Sequence, residues 1–316
     1  MQTKLVVSSS PFLRDASVST RRLMGDVVIA LIPTALAAIW FFGAPALALM
    51  LVSVVFAVLS ELVYEKITHQ KTTIDDLSAV VTGLLLAFNL PANAPWWMAA
   101  IGSIIAIVLV KQMFGGIGQN FVNPALTARI ILMTSFPSRM TTWTAPFAYL
   151  NGTDGATTAT PLALSAQGAT DSLPSYLDMF LGVRGGCLGE TCTLALLLGG
   201  IYLIARRVIS PVIPVCYLGT AAVMSLLLGR DVLFDLMAGG LMLGAIFMAT
   251  DYTTSPITFK GKIIYAVGCG VLTMLIRVFG SLPEGVSFSI VILNILVPLI
   301  ERVSRPKPFG KETVKQ

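Results

Sequence analysis

Chemistry in this chain has few places to reside. One is a run of small and hydroxyl-bearing residues, Asn151-Gly-Thr-Asp154-Gly155-Ala156-Thr157-Thr158-Ala159-Thr160-Pro161-Leu162, opened by an Asp-Gly turn. On composition alone it reads as a solvated turn. The loop that contains it runs from 137 to 184, and loops beyond about 12–15 residues are usually functional or disordered. The other places are ionisable residues in or beside apolar runs: Asp26, Glu61, Arg129, Glu190, Asp235 and Arg277. A charge in lipid is expensive, so each is a candidate functional residue. Asp26 and Glu61 fall near the ends of their runs and are expected to be solvated. Arg129 and Arg277 are intramembrane cations suited to steadying a phosphate. Cys187, Cys192, Cys216 and Cys269 have neither zinc nor disulfide spacing and read as small buried side chains, with a redox role as the alternative. His69, in a polar loop, reads as exposed.

The elements that must position these residues are membrane spans. Of 316 residues 55% are apolar and 12% charged, with a mean hydropathy of +0.84. Soluble domains carry roughly 25% charged residues. The composition excludes a disordered chain, a disulfide mini-protein and an ordinary cytosolic enzyme. A span needs about 20 residues, and ten apolar segments qualify: 23–42, 44–63, 77–89, 94–110, 122–136, 186–205, 211–228, 232–249, 263–279 and 286–300. The third and fifth are short, a form tolerated where freed backbone faces protein or a cavity. The expected fold is an all-α integral membrane bundle of about ten helices. It divides into a cytoplasmic segment (1–22), a first five-helix half (23–136), an extracytoplasmic loop (137–185), a second half (186–300) and a basic tail (301–316).

The basic residues orient this bundle. With the N-terminus inside, sixteen of the 21 lysines and arginines are cytoplasmic, three (Arg139, Arg184, Arg230) lie outside and two fall in spans. That asymmetry predicts cytoplasmic termini in a bacterial inner membrane. It also accounts for the net charge of +5 without nucleic acid. Residues 1–22 contain no apolar stretch of a cleavable signal, so the first span is expected to serve as its own.

Three motifs, in order, then carry a resemblance. Asp154-Gly-Ala-Thr-Thr-Ala-Thr160 resembles the D-G-x-S/T-G-A-T signature at which a flavin transferase esterifies FMN to threonine. Phe114-Gly-Gly-Ile-Gly-Gln-Asn-Phe-Val-Asn-Pro-Ala-Leu-Thr-Ala-Arg129 and Gly186-Cys-Leu-Gly-Glu-Thr191 resemble stretches shared by a family of membrane subunits. That family includes the B-type subunit of the sodium-pumping NADH:quinone reductase and the D-type subunit of the Rnf ferredoxin:NAD⁺ oxidoreductase. The chain departs from the signature at Thr158, where glycine is usual. Its front, some 22 residues before the first span, is shorter than that of the quinone-reductase protein and favours the Rnf side.

The resemblance implies a helical bundle like those of urea and ammonium channels. It implies covalent FMN on Thr160, with Asp154, Gly155, Thr157 and Ala159 as the surrounding site. It also allows a second, non-covalent riboflavin. The acceptor must reach another enzyme's active site, so an accessible loop with small neighbours is expected. Gln119, Asn120 and Asn123 are candidates to hydrogen-bond a flavin or an ion, or else to cap a re-entrant helix. The implied partners are the other Rnf subunits and the flavin transferase. Ferredoxin and NAD⁺ would be handled by those subunits, since the chain lacks a G-x-G-x-x-G after a strand and a cysteine-rich cluster motif. Such a chain is a redox subunit, catalytically incomplete alone. A cofactor-free channel or transporter is the competing reading, and the Asp154–Thr160 run is what distinguishes them.

Overall fold

The computed structural model describes residues 19–150, 157–168, 173–280 and 284–306. Helices α1 (Thr20–Phe42) and α2 (Ala44–Ile67) are followed by a short α3 (Ser78–Phe88). Next come α4 (Trp96–Ile104), prolonged by a wider π-turn and a final tight turn to Phe114, and α5 (Pro124–Ser135). The long loop contributes α6 (Pro137–Met140), strands β1 (Trp143–Thr144) and β2 (Thr157–Thr158), α7 (Pro161–Ala166) and α8 (Tyr176–Leu181). The second half holds α9 (Thr193–Ala205), α10 (Val212–Leu227), α11 (Val232–Met237), α12 (Leu241–Leu243, continued as a π-turn to Met248), α13 (Phe259–Phe279) and α14 (Val286–Ser304).

The chain is a multi-pass, all-α membrane protein. Among the described residues, five helices (α1, α2, α4 with its extension, α13 and α14) are long and apolar enough to cross a membrane, and α3, α9 and α10 are shorter apolar helices. Large apolar side chains such as Leu36, Trp40, Val55 and Leu227 cover their outer faces, as expected where the surroundings are lipid rather than water. The helices meet through small residues. A Cβ on Gly199 in α9 would lie 2.2 Å from the Ala30 carbonyl oxygen of α1, and one on Gly83 in α3 would lie 2.8 Å from Val54 Cα of α2. Beside Gly83, Ser53 Oγ donates to its carbonyl at 2.7 Å and pairs with Ser103 Oγ at 3.0 Å.

Two of the expected spans are broken. The segment 186–205 becomes helical only at Thr193; before it, Leu188 N and Gly189 N donate to the Leu90 and Phe88 carbonyls at 3.1 and 2.9 Å. This pairing supplies donors to the end of α3, which stops at Phe88. The segment 232–249 leaves helix at Ala238 (φ −74°, ψ 143°) and turns at Gly239, whose φ of 61° suits a residue without Cβ. Backbone carbonyls freed in hydrocarbon need internal donors. Arg277 of α13 supplies them, with Nη1 to the Asp235 carbonyl at 2.6 Å and Nη2 to that of Ala238 at 2.8 Å.

The acidic residues expected to be solvated are instead paired. Asp26 accepts from Tyr202 Oη at 2.9 Å and Arg206 Nη2 at 3.4 Å. Glu61 is fully buried and accepts from Lys111 Nζ at 2.6 Å and Gln112 Nε2 at 2.7 Å. The extension of α4 beyond Ile104 is what carries Lys111 back to α2.

Close helix contact at Gly199 gives a direct test. Gly199→Ala is expected to cost about 1–3 kcal/mol through overpacking, read as a lower Tm of the detergent-solubilised protein. Gly219→Ala, where a Cβ meets nothing within 4 Å, is expected to leave Tm unchanged.

Candidate cofactor site around Thr160

Thr160 begins α7. Its φ of −69° and ψ of 153° are those of an N-cap, and its Oγ1 accepts from Ala163 N at 3.2 Å. Pro161 at the first helical position has its own φ fixed near the helical value of about −65°, and its missing N–H would be unpaired there anyway. The strand pair β1–β2 leads into this turn, with Trp143 opposite Thr158 and Thr144 opposite Thr157. Thr158, the departure from the flavinylation signature, fits its strand: a Cβ on Gly185 would lie 2.3 Å from Thr158 Cγ2. The threonine methyl therefore occupies space that Gly185 leaves open. Ala159, half-buried, joins β2 to Thr160. Asp154 and Gly155 lie outside the described residues.

The threonine expected to be the acceptor is not on an exposed loop. Thr160 is 4% exposed and lines a cavity of about 170 Å³ with Arg129, Met133, Met140, Trp143 and Glu284. Packing of the loop's own helices on the bundle accounts for the difference, as Leu162 sits in a small core with Met179, Phe234 and Ala238.

Behind the cavity is a buried charge cluster. Arg129 of α5 donates through Nη1 to Glu190 Oε1 at 3.0 Å and Asn89 Oδ1 at 2.6 Å. Its Nη2 contacts Glu284 Oε2 and Cys187 Sγ, the latter at 3.5 Å. Arg184 donates to the Thr191 and Glu190 carbonyls at 3.1 and 2.5 Å. Burial, reinforced by the Glu190 charge, pushes the Glu284 carboxyl up to about 7, against the pull of Arg129 and Arg277. Burial likewise lowers Arg184 to about 10. Cys187, Glu190 and Glu284 bring ligand atoms within 4.8 Å of one another, but the Arg129 guanidinium donates to both carboxylates and, with the nearby Arg184 and Arg277, offsets their charge. The cluster is an ion-pair network.

Among the described residues, the buried polar atoms without a hydrogen-bond partner here include Arg129 Nε, Arg184 Nη1, Thr191 Oγ1, Glu284 Oε1 and Glu190 Oε2. Buried polar groups are nearly always satisfied, so orphaned donor and acceptor atoms beside a cavity mark a place for a polar ligand. Of the two cations expected to steady a phosphate, Arg129 lines this cavity, whereas Arg277 spends Nη1 and Nη2 on the carbonyls of the α11 break.

The amide candidates lie elsewhere. Asn123 is the N-cap of α5, accepting from Leu126 N at 3.2 Å while its Nδ2 donates to the Met248 carbonyl at 3.3 Å. Asn120 Nδ2 donates to the Val122 carbonyl at 3.2 Å. Both line a second cavity with Ser78, Lys111, Thr250 and Asp251. Burial raises the Asp251 carboxyl above its usual range. The four cysteines are free, and Cys187, Cys192 and Cys269 are buried. Sequence reasoning missed Glu284, the second carboxylate of the cluster; its only signal is being a lone acid between two apolar segments.

Removing one partner of a buried ion pair leaves the others uncompensated, at roughly 3–5 kcal/mol. Arg129→Met is therefore expected to lower the yield and Tm of the protein strongly. Adding Glu284→Gln should recover part of the loss, so the double variant should fall short of the sum of the singles. Strictly additive losses in Tm would show that the pair is not coupled.

Comparison with known proteins places this architecture. A family model described as the NQR2, RnfD, RnfE family matches residues 6–310. The chain is 51% identical to the D-type subunit of the "Na(+)-translocating ferredoxin:NAD(+) oxidoreductase complex" of Acetobacterium woodii, covering all of this chain and 98% of that one. It is 45% identical to the D-type subunit of the "Proton-translocating ferredoxin:NAD(+) oxidoreductase complex" of Clostridium ljungdahlii, over 96% of both chains. It is 34% identical to the D-type subunit of the "Ion-translocating oxidoreductase complex" of Escherichia coli, over 96% of this chain and 98% of the relative. On this match the chain belongs to the NQR2, RnfD, RnfE family, among its D-type members.

Proposed function

We propose that this chain is a membrane subunit of a bacterial complex that couples electron transfer between ferredoxin and NAD⁺ to the movement of Na⁺ or H⁺, and that it carries FMN as a phosphoester on Thr160. The observation that carries the flavin assignment is the enclosure of a threonine hydroxyl and a guanidinium with an unpartnered Nε in the lining of one cavity. The names of the relatives support the wider assignment.

In the esterification, Thr160 Oγ1 forms a bond to the flavin-side phosphorus of FAD held by a transferase. The anhydride bond breaks, AMP leaves, and the hydroxyl proton passes to solvent. Arg129, which lines the same cavity, would hold the single negative charge of a phosphodiester there, for which a guanidinium is the suited donor. When bound, FMN supplies one- and two-electron transfer, while the protein fixes its position and its electrostatic surroundings. Trp143, Met133 and Met140 line the cavity with apolar surface and exclude water from the ester. The cavity lined by Asn120, Asn123, Lys111 and Asp251 combines apolar walls with a few polar groups. We assign a non-covalent riboflavin to it.

The lysine and arginine distribution supports cytoplasmic termini, which would put Thr160 on the outer side of the inner membrane. A cytoplasm-dependent fluorescent reporter fused behind residue 316 is expected to fluoresce. A membrane-impermeant maleimide should label Gln167→Cys, an exposed position beside α7, in intact spheroplasts. Labelling only after lysis would reverse the orientation.

The flavin is tested on the denatured chain. Co-expression with a matched flavin transferase is expected to give a fluorescent band in a denaturing gel and a mass increase of FMN less one water. Thr160→Val should abolish both. A dark wild-type band, with the transferase active on another target, would remove the cofactor and favour a channel or transporter.

A further inference from the structure

The unmodified site is already neutralised, and by a residue that borders the acceptor. Glu284 and Thr160 line the same cavity, and Arg129 lies between the Glu190 side of the cluster and that cavity as a shared partner. Glu284 therefore stands where a second anion in the cavity would compete for Arg129. The two carboxylates are not equivalent. Glu190 is held on the chain segment whose carbonyls Arg184 engages, and its Oε1 is 2.7 Å from where a Cβ on Gly240 would be, so it is packed against α12. Glu284 stands at the entrance to α14, two residues before Val286, with a side chain 11% exposed against 2% for Glu190.

We propose that Glu284 is a placeholder anion, holding Arg129 in the unmodified chain and surrendering it when a phosphoester is made on Thr160. The inference rests on the flavin reading of Thr160. The exchange is one monoanion for another, since a phosphodiester carries a single charge. Glu284, released from Arg129 but still buried near Glu190, then takes a proton from solvent and becomes neutral, so the count of buried charges is unchanged. The groups facing Glu284 are Arg129 from α5, Arg277 from α13, and Arg184, Cys187 and Glu190 from the segment before α9. Among these, Arg129 is the cation in contact with it. Its carboxyl, pushed up to about 7 by burial, is poised to accept that proton near neutral pH.

The consequence is a pH dependence of modification that belongs to the acceptor rather than to the transferase. Below pH 7 Glu284 is neutral and Arg129 is free for phosphate; above it, the carboxylate competes. Wild type and Glu284→Gln, each in the intact complex, would be incubated with purified transferase, FAD and Mg²⁺ between pH 6 and 8.5. The rate of the mass gain on this chain is the readout. The two are expected to react alike at pH 6. At pH 8 Glu284→Gln should be faster by up to about tenfold, which is the inverse of the fraction of a carboxyl titrating near 7 that is still protonated there.

Equal rates at every pH, with both chains modified, would overturn the placeholder while leaving the flavin reading intact. A wild type that stays unmodified even when co-expressed with the transferase, with the transferase active on another target, would overturn both. If Glu284→Gln does not assemble, the wild-type rate divided by that on the second target decides. A ratio that falls from pH 6 to 8.5 supports the exchange, and a flat ratio overturns it.

Discussion

The structure depends on how a broken helix is satisfied inside a bilayer. Each interruption frees backbone carbonyls where no water can reach them, and the cost of leaving one unpaired is several kcal/mol. This chain meets the constraint with guanidinium groups. Arg277 closes the gap between α11 and α12, Arg184 serves the loop that precedes α9, and Arg129 ties the Asn89 end of α3 to that loop. Several donors in a fixed planar fork make arginine suited to bridging carbonyls that point in different directions. The short helices and the buried charges are thus two sides of one arrangement, in which the breaks permit a polar interior and the arginines keep it folded.

That arrangement also explains the polarity of the interior. At one end of the bundle are Glu61, Lys111 and Gln112; at the other are Arg129, Glu190 and Glu284. Between them the core is apolar, with Leu86, Phe88, Leu126 and Ile290 almost fully buried. Charge and hydrogen bonding are thus concentrated in two clusters, with low-dielectric surroundings between them.

Much of this was legible in the sequence, for definite reasons. Long apolar runs fixed the helices because hydrophobic length is a nearly sufficient condition for a span, and ten segments correspond to helical structure along much of the chain. The breaks were less legible. The segment 186–192 lies at the front of an apolar run that reads as one span, and a turn there, paired with Phe88 and Leu90 far away in sequence, keeps helix from starting before Thr193. Asp26 and Glu61 sit near helix ends, where solvent is the simple expectation, but their partners Tyr202 and Lys111 come from other helices. Thr160 is singled out in the sequence by its resemblance to a flavinylation motif, whereas its burial is not legible there, since this follows from the core that Leu162 shares with Met179 and Phe234. Glu284 was invisible because nothing local distinguishes a buried carboxylate from a loop one.

The burial of Thr160 sets an order of events in the life of the protein. Its oxygen is engaged with Ala163 N and shielded by Trp143 and Met140, so an enzyme acting on it must arrive before α7 seats on the bundle, or must unseat it. A group installed there is afterwards enclosed by the same packing, and hydrolases that attack exposed phosphoesters would find no approach. On the proposed flavin reading, the outer loop, which closes over the unmodified threonine as well, would act as a ratchet by preventing reversal of the modification.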